Sequence, residues 1–111
     1  MLINKHEDPI GSALLDFYQT SEDTNIQVEM DIAEKDTLAP SYFFRSFDEC
    51  PQLERVALQQ ASGKVLDVGA GAGSHSLYLQ QNGMDVTAID VSPHSVSVMQ
   101  KRGLSKVKLA D

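Results

Sequence analysis

The chain has 111 residues, 41% of them hydrophobic and 23% charged, with seven Gly and four Pro. That composition describes one globular domain and excludes a two-domain enzyme, a collagen and a disordered chain. Nine Lys and Arg against sixteen Asp and Glu leave a formal charge of −7, the wrong sign for a protein held to phosphate backbones, so no nucleic acid partner is expected. The single cysteine, Cys50, supports neither a disulfide framework nor, alone, a zinc site. No apolar run approaches the roughly 20 residues that cross a bilayer, and the N-terminus is too acidic for a signal peptide. A cytoplasmic protein without membrane or metal is the expectation.

Charge divides the sequence near residue 62. Residues 1–62 carry four basic residues against twelve acidic ones, whereas residues 63–111 carry five against four. The first part reads as an N-terminal elaboration and the second as the start of a nucleotide-fold core. Asp8 followed by Pro9 is an N-cap with proline at the first helical position, and Ile10, Ala13, Leu14 and Phe17 recur at helical spacing, predicting a helix from Pro9 to about Gln19. Ile26 to Ile32 alternates apolar and polar residues, the pattern of a half-buried strand. Aromatics concentrate in Pro40 to Phe47 without a clean period, consistent with a helical turn or a loop. Pro51 opens a helix to about Ala61, with Leu53, Val56 and Ala57 defining its apolar face, and Ser62-Gly63 end it.

From Lys64 the pattern alternates strand and helix. Val65 to Val68 is a short apolar strand. Ser74 to Asn82 is a helix closed by Gly83, and Met84 to Ile89 is the next strand. Ser92-Pro93 caps a helix running to Arg102 with Gly103 as its stop, and Lys106 to Ala110 is the last strand. A β-α-β-α-β order with crossover helices predicts three parallel strands with right-handed connections.

The segment Asp67-Val68-Gly69-Ala70-Gly71-Ala72-Gly73-Ser74-His75 places three glycines at alternate positions between a strand and a helix. Such a loop turns tightly and lets a ligand approach the backbone. Without a ligand the same spacing is simply a tight turn. Asp90 ends the following strand, at the separation where a carboxylate accepts ribose hydroxyls in dinucleotide folds. Two ligands compete, a dinucleotide such as NAD and S-adenosylmethionine. The dinucleotide fingerprint fits imperfectly, because Ser74 stands where its third glycine belongs. Asp67 would repel a pyrophosphate and favour a sulfonium and an ammonium. No Lys or Arg lies between Lys64 and Lys101, so the site is expected to be acidic, lined by Asp67, Asp90 and Asp111.

These residues resemble a family. Asp67 to Gly73 is similar to the first motif of class I S-adenosylmethionine-dependent methyltransferases, and Ala88-Ile89-Asp90-Val91-Ser92 is similar to the acidic end of their second strand. The resemblance covers Gly63 to Asp111. Tyr42 to Arg45 and Glu54 also resemble the segment upstream of this motif in one bacterial branch. It implies an α/β, Rossmann-like parallel sheet, incomplete because only strands 3-2-1 of the family's seven are present, with an N-terminal α+β elaboration. It further implies S-adenosylmethionine as cofactor, laid against Gly69, Ala70, Gly71 and Gly73. Asp67 would orient the methionyl amine, Asp90 take the ribose hydroxyls, Val91 pack on the adenine and Asp111 receive its amino group.

The expected function is therefore methyl transfer to a small-molecule or protein acceptor, with no catalytic residue nominated. Its rival is an inactive cofactor-binding or oligomerisation module, the chain being read as the N-terminal portion of a methyltransferase. The aromatics of Tyr42 to Phe47 serve either as a lid, with Arg45 on the cofactor carboxylate, or as packing of the elaboration. His75 either touches that carboxylate or is solvated, and His6 and His94 are surface residues. The uncovered edge of the Val65 to Val68 strand is expected to pair, giving a homodimer, unless the elaboration folds over it.

Overall fold

The computed structural model describes residues 2–30 and 33–111, with side chains left out between 27 and 37. Helix α1 (Pro9–Thr20) begins where the Asp8-Pro9 pair predicts, and the Asp8 carboxylate accepts the Gly11 N–H at 3.0 Å. Strand β1 (Ile26–Met30) pairs antiparallel with β2 (Ala33–Leu38), Ile26 lying opposite Leu38. The hairpin partner β2 was not visible in the sequence pattern. Asp31 and Ile32, the end of the expected strand, lie outside the described residues, as does burial of its apolar face. Two 3-10 turns, Pro40–Phe44 and Phe47–Glu49, occupy the aromatic segment. Helix α2 (Gln52–Gln60) follows, then β3 (Lys64–Val68), α3 (Ser74–Gln81), β4 (Asp85–Asp90), α4 (Pro93–Lys101) and β5 (Val107–Leu109).

Strands β3, β4 and β5 form one parallel sheet in that order, Val65 beside Val86 and Asp67 beside Ala88. This is the incomplete Rossmann-like sheet expected from the sequence. In-register neighbours share a face, so Val65, Asp67, Val86 and Ala88 point one way, and α3 and α4 cover that side. Ala88, Met99 and Leu104 are buried together there, while Leu14, Ala72 and Val98 form a second cluster where α1 meets α4.

The helix α1 is joined to the sheet end through its cap. Asp8 is buried and also accepts the Ser92 hydroxyl, while Ser92 itself caps α4 by accepting the Ser95 N–H at 3.0 Å. One carboxylate therefore fixes two helix starts. Ile3 adds a backbone bond, donating to the Val91 carbonyl at 2.9 Å.

One expectation is corrected, and one alternative is not seen among the described residues. The apolar face of α2 is not buried: Leu53 is 82% exposed and Val56 also faces solvent. Helical periodicity identifies an apolar stripe but not what lies opposite it; on the sheet, Leu66 and Val68 are likewise 60% and 68% exposed. Nor does the elaboration cover β3: among the described residues β1 pairs with β2 alone, and the aromatics pack against α1, α3 and the glycine loop.

The double cap makes a prediction of unusual sign. Replacing a helical glycine by alanine ordinarily stabilises, by about 1 kcal/mol in a helix interior, but a Cβ on Gly11, in the first turn of α1, would meet the Asp8 carboxylate and the Ser92 hydroxyl, each at 2.2 Å. Gly11→Ala should therefore lower stability by about 1–3 kcal/mol, read as a lower urea midpoint.

Candidate functional site

The site lies at the C-terminal ends of β3 and β4. There the first strand ends at Val68 and the chain turns through Gly69 and Gly71, whose φ values of 68° and 61° are left-handed and suit glycine. The loop is held from three sides. Gly71 donates its N–H to Asp90 Oδ2 at 2.9 Å, Ala70 donates to the Ile89 carbonyl at 3.1 Å, and Arg102 Nη1 donates to the Ala72 carbonyl at 2.8 Å. Asp90 Oδ1 meanwhile accepts the Ser92 N–H at 2.9 Å, so one carboxylate ties the glycine loop to the turn after β4. Burial pushes the Arg102 guanidinium below its ordinary value, partly opposed by Tyr18, and the group lies 4.7 Å over the Phe44 ring.

A cavity of about 220 Å³ opens on this loop, lined by Asp67, Gly69, Ala70, Gly71, Ser74 and His75 from the core and by Tyr42, Phe43, Arg45, Cys50 and Glu54 from the elaboration. Asp67 faces α3 and accepts the Ser76 hydroxyl at 2.7 Å. Nothing lies within 4 Å of where a Gly69 Cβ would be, so the space above that end of the loop is free, while a Cβ on Gly71 would touch the Phe43 ring at 3.6 Å. Gly73 has a different task. A Cβ there would meet Leu104 and Met99 at 2.7 and 2.8 Å, so this glycine lets α3 close onto the core rather than facing a ligand. Val91 is half-buried, with its carbonyl taken by Ile3. Asp111 ends the chain just beyond β5, exposed and engaged in an interaction of its own. Asp90 thus stands beside the cavity, bonded to its Gly71, while the carboxylates in the wall are Asp67 and Glu54.

The expected absence of basic groups is corrected. Arg45 lines the cavity beside His75 of the core, because the elaboration contributes a wall that scanning the core segment for Lys and Arg does not reveal. Arg45 lies 3.9 Å over the Tyr42 ring, donates from Nε to the Tyr42 carbonyl at 2.8 Å, and pairs with Glu54 Oε2 at 3.2 Å. His75 Nε2 is 3.6 Å from the same oxygen. The aromatic segment both packs and lines the cavity: Phe43 and Phe44 rest on the Leu14 cluster, Phe47 stacks on Tyr78 at 4.3 Å, and the Phe43 carbonyl accepts the Ser74 hydroxyl at 2.6 Å. The resemblance of the segment upstream of the glycine motif marks Tyr42 to Arg45 and Glu54, whereas no motif marks Cys50 as a neighbour of the loop.

Burial of Glu54 works against its charge, but the Arg45 guanidinium, hydrogen bonds from Cys50 and Arg45, and His75 outweigh it and hold the carboxyl below its ordinary value. Removing the guanidinium should reverse the balance. In Arg45→Gln, a carbon-detected titration of the Glu54 carboxyl should show it protonating at higher pH than in the parent chain; an unchanged midpoint would mean that the ion pair does not form in solution.

A family model described as "Tellurite resistance protein TehB" matches residues 41–110. The chain superposes with a TM-score of 0.93 and 40% identity on a SAM-dependent methyltransferase from Bacteroides fragilis, solved in complex with S-adenosyl-L-homocysteine, covering 99% of this chain and 46% of that one. It is also 41% identical over 64 residues to a 23S rRNA (uracil(747)-C(5))-methyltransferase of Pyrococcus abyssi (strain GE5 / Orsay), covering 56% of this chain and 16% of that protein. A third relative, the S-adenosyl-L-methionine-dependent Diels-Alderase iliD of Neonectria sp. (strain DH2), is 38% identical over 79 residues, covering 66% and 32% respectively. The chain spans less than half the length of each of these proteins. With the family model matching more than half of its residues and the glycine loop, parallel sheet and acidic second-strand end in place, the chain belongs to the TehB family of class I S-adenosylmethionine-dependent methyltransferases.

Proposed function

We propose that this chain is the cofactor-binding portion of a methyltransferase, that it binds S-adenosylmethionine over the Gly69 to Gly71 loop, and that the whole protein transfers the methyl group to a small-molecule or protein acceptor. The observation that carries this reading is the Asp90 carboxylate braced on the Gly71 and Ser92 N–H groups. It fixes a glycine loop with free space above it beside a cavity whose nearest core carboxylate is Asp67. The bound cofactor supplies a sulfonium whose methyl group is already activated toward a nucleophile.

The chain's own residues supply position. Asp67 retains acceptor capacity beyond its bond to Ser76 and attracts the methionyl ammonium, an interaction strengthened by partial burial. Asp90 uses one lone pair per oxygen on the backbone, leaving the others for the two ribose hydroxyls. Val91 offers an apolar contact to the adenine and Asp111 an acceptor for its amino group. Arg45, anchored on Tyr42, is the cation within the cavity wall for the methionyl carboxylate. The −7 charge disfavours nucleic acid as acceptor, although the Pyrococcus relative is named for one. The tellurite resistance for which the family is named makes a tellurium oxyanion the first small acceptor to assay.

The open β3 edge supports a second proposal, a homodimer in which Leu66 and Val68 of two copies cover each other. Among the described residues no helix is long and apolar enough to cross a membrane.

Calorimetry tests the binding reading. S-adenosylhomocysteine should bind and NAD should not. Asp90→Ala should weaken the former at least about tenfold, the loss of one charge-assisted bond being worth about 1.5–3 kcal/mol. Gly71→Val should abolish it, since a branched side chain at φ 61° strains the loop and points at Phe43. Undiminished binding in both variants would remove the loop as the cradle. Sedimentation at micromolar concentration tests the assembly: a dimer dispersed by Val68→Lys is expected, and a compact monomer overturns it.

A further inference from the structure

One wall of the cavity gathers three metal-ligating side chains that cofactor binding leaves unused. Cys50 closes the 3-10 turn Phe47–Glu49, Glu54 stands one helical turn later in the first turn of α2, and His75 is the second residue of α3. A thiol sulfur, a carboxylate oxygen and an imidazole nitrogen from these residues all lie within 4.8 Å of one another. A tetrahedral zinc ion with bonds of about 2.0–2.3 Å holds its ligand atoms roughly 3.3–3.8 Å apart. The 3.6 Å between His75 Nε2 and Glu54 Oε2 already meets that requirement, and the sulfur needs to move by about 1 Å at most, within reach of side-chain rotation.

The chemistry of the set agrees with the geometry. Thiolate, carboxylate and neutral imidazole are the ligand types of zinc and its soft neighbours, and together they carry two negative charges for a dication. Cys50 is 6% exposed and its thiol donates to the Ser46 carbonyl at 3.4 Å, so a metal would take the place of the thiol proton. All three residues line the cavity, which leaves a further coordination position open to it, as in sites that take a water or a substrate atom as fourth ligand.

Arg45 is the built-in competitor. Its guanidinium reaches Glu54 Oε2 at 3.2 Å, yet it is anchored separately by the Tyr42 carbonyl and ring. It can give up Glu54 without losing its other partners. We propose that Cys50, Glu54 and His75 form a three-ligand site for a soft divalent cation of the zinc class, open to the cavity on its fourth side, with Arg45 holding Glu54 when the ion is absent. This adds to the cofactor reading and does not depend on it.

The untagged full chain, stripped with chelator, is titrated with Co²⁺ as a spectroscopic substitute for zinc. One equivalent should bind with a thiolate-to-cobalt charge-transfer band and the intense visible bands of low-coordinate cobalt, and Zn²⁺ should displace it. Cys50→Ser should abolish the charge-transfer band, and His75→Gln should weaken binding at least tenfold with an unchanged circular dichroism spectrum. Arg45→Gln should tighten binding, because the competing cation is gone. Absence of the band in the parent chain, or equal affinity in the Cys50→Ser and His75→Gln variants, overturns the site. Weaker binding in Arg45→Gln overturns the competition.

Discussion

The architecture around the cavity depends on one carboxylate, that of Asp90, which accepts the Gly71 N–H with one oxygen and the Ser92 N–H with the other. Parallel strands leave their C-terminal ends splayed into separate loops, and a ligand can use both loops only if they are fixed relative to each other. Asp90 does this with two charge-assisted bonds. The glycine loop could otherwise adopt many conformations, since left-handed glycines are as free in the unfolded chain as anywhere. The acid at the end of β4 is therefore both a ligand candidate and the part that shapes the loop it would share the ligand with.

The N-terminal elaboration is built onto the same turn. Ser92, two residues after Asp90, caps α4 and donates to Asp8, which caps α1. Ile3 binds the intervening Val91 carbonyl. On the other side of the loop, Ser74 donates to the Phe43 carbonyl and Arg102 donates to both Ser74 Oγ and the Ala72 carbonyl. These bonds bring Arg45, Cys50 and Glu54 to the cavity, so its second wall is made from sequence that has no nucleotide-fold pattern. The pairing of a standard loop with a separately supplied wall is how one fold carries different acceptors and effectors.

Much of this was legible in the chain. Asp8-Pro9 and Ser92-Pro93 announced α1 and α4 because a capping oxygen followed by proline has few other uses. Asp67, the glycines and Asp90 announced the parallel unit, since strand, tight turn, helix and acid fell in the required order. Three things were not legible. The strand β2, Ala33–Leu38, carries charged residues that obscure alternation. The roles of Gly71 and Gly73 divide, one facing the cavity and the other the Met99 and Leu104 side chains, yet identical residues two positions apart give no hint of it. The cluster of Arg45, Cys50, Glu54 and His75 joins positions up to thirty apart, and only the folded chain shows that their side chains meet. The α2 stripe taught the opposite lesson: Leu53 has the period of a buried residue and an 82% exposed side chain, because period reports a face and not its partner.

The central claim is that the Asp90-braced loop is the place where the cofactor lies. Amide chemical shifts of the isotope-labelled chain on addition of S-adenosylhomocysteine test it most directly. The largest changes are predicted at Gly69, Ala70, Gly71, Val91 and Ser92, with the Gly71 amide, already held by Asp90, among the most affected. Changes concentrated instead at Lys64, Leu66, Thr87 and Lys106, which line a separate groove, would contradict the account.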